Sequence, residues 1–232
     1  MSATEQTMFQ RLNSAISSGL IPVCVEFLRL LPDSVVLGVA LLAALSMTKS
    51  YGVLLFTMLE LMISQRAFAM LIGGIAPLGA GNNPLQKICQ PGFMFPNQMR
   101  ITLLETIGTP SLFPSPTMFF LSGFVAYMVG AMQQFAREIK SLGGEIETRT
   151  NTALILSFLF IMAMMMFRYN YGCESFGSLL VSLILGAVMG MALVFQNQAL
   201  FGRDSINVLN LPIIQSSLEK GRPMYVCGPS DI

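Results

Sequence analysis

The sequence predicts an all-α integral membrane protein, a helical bundle of five transmembrane helices or alternatively four, with an N-terminal amphipathic helix and an ordered C-terminal tail. Only 11% of its 232 residues are charged, against about 25% in soluble domains. Hydrophobic residues make up 53%, and they gather into runs long enough to cross a hydrocarbon core of about 30 Å. Composition and run length therefore both indicate a protein that lies mainly in lipid.

The charge balance and the missing residue types exclude several functions. Lys and Arg number 13 and Asp and Glu number 12, so the net charge is +1 and no strong field attracts nucleic acid. The chain has no histidine, which excludes histidine-based acid–base and metal chemistry. The first residues, "MSATEQTMFQRL", lack the basic and apolar regions of a signal peptide, and we expect none to be cleaved.

Residues 1–32 predict an amphipathic N-terminal region. An apolar helical stripe there suits a helix that lies on a membrane or on a neighbour, and an ordinary helix packed on its own chain explains it equally well. The stripe consists of Phe9, Leu12, Ile16 and Leu20. A second short segment should end at Pro32, because proline interrupts helical hydrogen bonding. Asp33 or Ser34 can then cap the next helix.

Residues 33–74 predict the first hydrophobic hairpin. Its apolar stretch would be about 45 Å long as a single helix, which exceeds the thickness of the hydrocarbon core. We expect a break at "TKSYG", where Gly52 permits a turn. The predicted spans are 33–48 and 52–74, and a single tilted helix over 34–63 is the alternative.

The second span carries Glu60, Gln65 and Arg66 inside the predicted membrane region. Ionisable residues within a span are functional candidates, and Glu60 with Arg66 could line a path for ions. A structural pair across helical turns, or a shallow interfacial position, is the interpretation that we favour.

An extramembrane connector at 75–115, rich in proline and turn signals, precedes a three-helix transmembrane region at 116–196. The third span should begin with Ser115 as its cap and Pro116 in its first turn. The motif "YNYGCES" predicts a tight turn between the last two spans. We expect spans three, four and five at 116–136, 151–168 and 176–196.

Five spans place the chain termini on opposite faces, and they place Cys24, Cys89 and Cys173 on the same face. A bridge between Cys89 and Cys173 can then form if that face meets an oxidising space, although free buried thiols are the commoner outcome. Five basic residues on one face against seven on the other are too small a bias to orient the protein.

Small residues recur at every fourth position in two spans, which predicts close helix packing. Removing side-chain bulk from one face lets another backbone approach, and serines can bond across such a contact. The two helices should pack together or on another copy of the chain, which would make a homo-oligomer. The ladders are Ser178, Ser182, Gly186 and Gly190 in the fifth span, and Ser122, Ala126 and Gly130 in the third.

The sequence shows no pairing of a nucleophile with a base, no GxSxG motif and no phosphate-binding loop, so we expect a non-enzymatic protein without cofactors. The polar stretch that follows the last span indicates local structure instead. Amides of residues 196–198 can satisfy the last carbonyls of the helix, and Gly202 can take a left-handed cap conformation. Asp204 or Ser205 can cap a short helix that Pro212 ends.

Residues 112–232 carry a resemblance to a known family. An asparagine and "FG" after the last span precede "DSIN" and "LN", and the end of the chain reads Gly-x-Pro-x-Tyr-Val-Cys. These motifs fall on Asn197, Phe201–Gly202, Asp204–Asn207, Leu209–Asn210, Gly221, Pro223 and Tyr225–Cys227. In them the chain resembles multispanning virion membrane proteins of large nucleocytoplasmic DNA viruses. It departs from that pattern in the five residues that follow Cys227.

The resemblance implies a structural protein of the internal virion membrane, present in host membranes during assembly, that joins the bilayer to capsid or minor capsid proteins. The tail at 197–232 would then contact those partners, through the candidates Asn197, Arg203, Asp204, Asn207, Asn210 and Tyr225. No catalytic residue is implied. A small channel or transporter that uses Glu60 and Arg66, and a membrane-remodelling assembly factor that acts through the N-terminal helix, are the alternatives.

Overall fold

The computed structural model describes residues 19, 21–72, 89, 93–94, 100–101, 113–136 and 144–208. Within them the chain is all-helical apart from a two-residue antiparallel ladder that pairs Phe93 with Ile101. The five α-helices of the described part are α1 (Ile21–Ser46), α2 (Lys49–Ile72), α3 (Pro116–Gln134), α4 (Gly144–Asn170) and α5 (Phe176–Phe201). A 3₁₀ turn at Arg203–Ile206 follows. The predicted N-terminal amphipathic helix and the chain beyond residue 208 lie outside the described residues.

The helices alternate in direction. Lys49, at the start of α2, contacts Phe201 at the end of α5, whereas Gln65, near the end of α2, contacts Pro114 just before α3. The helix α2 is therefore antiparallel to both α3 and α5. We call the end that contains Lys49 the lysine end, and the opposite end, where α4 meets α5 at Cys173, the cysteine end.

Four of these helices, α1, α2, α4 and α5, are long and apolar enough to cross a membrane. The helix α3 has 19 residues, about 28 Å at 1.5 Å per residue, and it is enclosed by the others. Large apolar side chains on the outer faces of α1, α4 and α5 are exposed, as lipid contact requires. Among them are Leu41, Leu45, Phe158, Leu159, Ile184 and Val188. The all-helical fold is as predicted, and the length and composition of these four helices support a membrane location.

The helix α1 runs through Pro32, so the expectation that a helix ends there is wrong, as is the expectation of a cap at Asp33 or Ser34. Proline removes a single backbone hydrogen bond, while the residues on both sides keep theirs. In lipid, an interrupted backbone would leave more polar groups without partners than a continuous helix does. Ser34 instead donates its hydroxyl to the Leu30 carbonyl at 2.9 Å.

The break between α1 and α2 lies where the sequence predicts it, but a different residue makes the turn. Residues 47 and 48 separate the helices, and Met47 takes a positive φ of 49°. Gly52 lies inside α2, so the prediction that it forms the turn is wrong. The exposed Met47 follows Ser46, whose hydroxyl bonds Thr48 at 3.2 Å and helps to hold the turn.

The helices α3 and α5 run parallel and pack backbone against backbone, as the two small-residue ladders predict. A Cβ added to Gly190 would lie 2.8 Å from the Gly123 carbonyl carbon, and one added to Gly186 would overlap Ser122 and the Phe119 carbonyl. The ladder from Ser178 to Gly190 is buried along its length. The predicted face of α5 is therefore confirmed, and its partner is α3 of the same chain.

The ends of the later helices agree with the sequence in most respects. Ser115 caps α3 by accepting from the Met118 N–H at 3.4 Å, and Pro116 lies in its first turn. Gly172 makes the tight turn between α4 and α5 with a φ of 66°. The helix α5 continues to Phe201, five residues beyond the predicted end of its span, and Gly202 follows with a φ of 87°.

Candidate functional site

A buried polar cluster joins α2, α3 and α5 inside the bundle. The Asn197 side-chain N–H₂ of α5 donates to Thr57 Oγ1 of α2 at 2.6 Å and to the Tyr127 hydroxyl of α3 at 3.3 Å. The exposed fraction is 0% for Asn197 and Tyr127 and 1% for Thr57. The Thr57 hydroxyl itself donates to the Val53 carbonyl at 2.8 Å. One amide therefore ties three helices together where water is absent.

Glu60 lies one turn further along α2, at the edge of this cluster. Its Oε1 accepts from the Gln196 side chain at 2.6 Å. Arg66 is exposed and does not pair with it, so the first of the two favoured interpretations, a structural pair across helical turns, is wrong. The two residues are six apart, which places them about 120° apart around a helix with 3.6 residues per turn. Their side chains therefore leave α2 in different directions.

The amides at the end of α5 do not cap that helix, contrary to the sequence-based expectation. Gln196 and Asn197 bond side chains of other helices, and the cap is made by other groups. Lys49 Nζ donates to the Phe201 carbonyl at 2.7 Å, and the Gly202 N–H donates to the Gln198 carbonyl at 3.1 Å. A cation at a helix C-terminus also interacts favourably with the helix dipole.

Arg203 caps the C-terminus of α3 at the lysine end, as Lys49 caps that of α5. Its guanidinium donates to the Gln134 carbonyl at 2.6 Å and lies 5.0 Å from the centroid of the Phe135 ring. Ser50 donates to the Asp204 carbonyl at 3.1 Å. No side chain caps the 3₁₀ turn, so the prediction that Asp204 or Ser205 does so is wrong.

The cysteine end is fastened by a disulfide and a buried ion pair. Cys89 and Cys173 are bridged, with their Cα atoms 5.3 Å apart, so the expectation that free thiols are the commoner outcome is wrong here. Arg168 Nη2 lies 2.6 Å from Glu174 Oε1, with side-chain exposures of 7% and 1%. Arg168 also donates to the Cys89 carbonyl at 3.4 Å. The bridge, the ion pair and this hydrogen bond meet at one point.

A third polar contact lies between the cluster and the cysteine end. Ser182 accepts from the Ser115 backbone N–H at 2.7 Å and donates to the Ser178 carbonyl at the same distance. Gln65 donates to the Pro114 carbonyl at 2.8 Å. These side chains satisfy the backbone at the start of α3, which is needed where water is excluded.

The residues predicted to contact a partner separate into three groups. Asn197 and Asn207 are 0% and 2% exposed, so the prediction that they face another protein is wrong; both lie inside the chain. Arg203 and Asp204 are exposed at the lysine end. Asn210 and Tyr225 lie outside the described residues.

Ala126 of the predicted α3 ladder is only half-buried, and its neighbour Gly123 makes the close contact instead.

Sequence reasoning missed Thr57, Gly123 and Tyr127. Thr57 could have been found from Glu60, because residues three apart share a helix face. Gly123 and Tyr127 follow Ser122 and Ala126 by one position each, so an α3 face wider by one position would have included both. No family model, curated protein or solved structure matches the chain.

Proposed function

We propose that the protein is a structural membrane protein of a viral particle, which crosses the internal membrane five times through α1 to α5 and anchors it to the capsid layer. Four helices are long and apolar enough to span, and α3 lies among them in the alternating order that five crossings require. The lipid bilayer and capsid or minor capsid proteins are the proposed partners.

The contacts that hold the helices together support the structural role. The helices α3 and α5 meet at backbone distance along the glycine ladder. The cysteine end is closed by a disulfide and a buried ion pair, and at the lysine end Lys49 and Arg203 cap two helices. Transporters need two packings of their helices, whereas a scaffold between bilayer and protein shell needs one.

The placement in a virion rests on the resemblance of residues 112–232. Within the described residues, its motifs fall on Asn197, Phe201–Gly202 and Asp204–Asn207. The capsid-facing surface would then include the exposed Arg203 and Asp204 and the chain that follows residue 208. Host membranes would hold the protein during assembly, before the internal membrane is enclosed.

Purified particles test this proposal. Particles of the virus that encodes the chain are stripped with detergent, and the copy number of the protein is measured by mass spectrometry against the major capsid protein. We expect a fixed stoichiometry that survives stripping, while a host membrane protein from the same cells, as the control, is removed. Absence from the stripped particles, or trace amounts only, contradicts the proposal.

A channel or transporter is the second candidate, and the polar cluster around Glu60 favours it. Ionisable side chains within a membrane often mark ion pathways. The test is ion leakage from liposomes that contain the wild type, Glu60→Ala or the control Glu26→Ala, whose carboxylate pairs with Arg29 near the start of α1. Leakage that only Glu60→Ala abolishes supports transport, and equal fluxes from all three refute it.

A further inference from the structure

The polar cluster contains two acceptor oxygens that the described part of the chain does not satisfy. Asn197 uses its N–H₂ group on Thr57 and Tyr127, but its Oδ1 is buried and has no hydrogen-bond partner there. Glu60 uses Oε1 on Gln196, while its Oε2 is also buried without a partner. Buried polar atoms in proteins are satisfied in the great majority of cases, so two such oxygens in one cluster require an explanation.

The position of the cluster raises the free-energy cost of leaving these oxygens without a partner. Glu60 lies halfway along the 24 residues of α2, roughly 17 Å from each end of that helix at 1.5 Å per residue. The cluster holds one carboxylate, and its nearest basic neighbour on α2, Arg66, leaves the helix in another direction. A carboxylate at this depth is expensive unless a positive group compensates it.

We propose that the unsatisfied oxygens of Glu60 and Asn197, in the cluster that they form with Thr57 and Tyr127, bind one small monovalent metal cation, of the size of sodium. Carboxylate, amide, hydroxyl and phenol oxygens are the hard ligands that such ions prefer. The four residues come from three helices that already meet here. A single positive charge balances the single carboxylate, whereas a divalent ion would leave an excess charge in the membrane.

Two other occupants can be compared with a cation. A proton on Glu60 Oε2 would supply one donor for one acceptor, whereas a metal ion can bind several oxygens at once, including Asn197 Oδ1, and the responses to pH and to sodium in the test below separate the two. A helix from another chain cannot reach either atom, because each exposes less than 1 Å² of its surface. The bound cation would link α2, α3 and α5, and it does not depend on the proposed role in a particle.

Sodium binding to the isolated protein tests the site. Full-length protein is placed in lipid nanodiscs in buffer whose only cation is N-methylglucamine, and binding of radioactive sodium is measured at fixed pH. We expect saturable binding that unlabelled sodium displaces and choline does not. Glu60→Gln keeps the size of the side chain and an acceptor for Gln196, and should weaken binding by about tenfold to a hundredfold, as loss of a metal-site partner does.

The matched control is Glu26→Gln, which removes a carboxylate near the start of α1 and should leave sodium binding unchanged. Folding of each variant is checked by the Cys89–Cys173 bridge, seen as a change of gel mobility on reduction, and by a cooperative thermal transition. Sodium should also raise the melting temperature of the wild type more than that of Glu60→Gln. Wild-type binding no tighter than that of Glu60→Gln, or stabilisation that responds to pH and not to sodium, overturns the proposal.

Discussion

The contact between α3 and α5 makes the sharpest prediction about stability. In Gly190→Ala the new Cβ would lie 2.8 Å from the carbonyl carbon and 3.0 Å from the Cα of Gly123. Carbon atoms in contact are usually about 3.5–4.0 Å apart, so the two helices must separate by roughly 1 Å. Both obstructing atoms belong to the backbone and cannot rotate away.

The expected cost follows from two opposing effects. Overpacking in a closely packed interior costs about 1–3 kcal/mol, while alanine gains up to about 1 kcal/mol over glycine inside a helix. Gly38→Ala is the matched control, because a Cβ at Gly38 meets nothing within 4 Å. The helix preference is common to both variants, so their difference in unfolding free energy should be about 1–3 kcal/mol.

The unfolding free energy of Gly130→Ala should lie between those of Gly38→Ala and Gly190→Ala. Its Cβ would lie 2.9 Å from Met191 Sδ and 2.9 Å from a methyl group of Val194. The methionine side chain is flexible and can move aside, whereas the carbonyl of Gly123 cannot. The loss of stability therefore depends on whether the atom that the new Cβ meets can move aside. The distances alone do not rank the variants.

The assay is reversible unfolding in mixed micelles with increasing sodium dodecyl sulfate, followed by circular dichroism because the chain has no tryptophan. The predicted order of stability is Gly38→Ala, then Gly130→Ala, then Gly190→Ala. If Gly190→Ala and Gly38→Ala agree within about 0.5 kcal/mol, the usual range for surface changes, the backbone contact between α3 and α5 is refuted.

Three further changes probe the ends of the bundle by the same unfolding assay. Cys173→Ser should lower the unfolding free energy by about 4–5 kcal/mol by the loop-closure account, since the bridge spans 84 residues. Cys24→Ser, at an exposed free thiol, should leave it unchanged, and equal unfolding free energies for the two variants contradict the bridge. Glu174→Gln leaves the buried Arg168 charge unpaired and should cost about 3–5 kcal/mol, so a loss below about 1 kcal/mol, typical of exposed pairs, argues against the buried pair. Arg203→Ala removes a helix cap and a ring contact at an exposed position and should cost about 1 kcal/mol, whereas an unchanged stability shows that neither matters.

The parts of the fold that sequence predicted are those governed by local rules. Serine and glycine at every fourth position of α5 place small side chains on one helix face, and that face meets another helix. Ser115 and Pro116 suit the first turn of α3 whatever lies around them. Both predictions depend only on helix geometry and on which backbone groups need partners.

The parts that sequence missed depend on neighbouring helices. Pro32 is a helix breaker in water, but in an apolar environment a continuous helix loses fewer hydrogen bonds than a broken one. Gly123 becomes essential only because the backbone of α5 approaches it at Gly190, beside the contact of Ser122 with Gly186. The partner of Glu60 is Gln196, 136 residues further along the chain, and no local spacing rule could pair them.

The polar stretch after the apolar run of α5 illustrates the same dependence. Asn197 lies where an amide is expected to leave the membrane, yet α5 continues for another turn and carries this side chain into the interior. There the alternative to bonding Thr57 and Tyr127 is an unsatisfied amide in an apolar environment, which costs more than a hydrogen bond contributes. Polarity at this point of the sequence therefore reflects the convergence of three helices. Of the predicted partner contacts that are described in this stretch, Arg203 and Asp204 are exposed and can meet another protein, whereas Asn197 and Asn207 are buried.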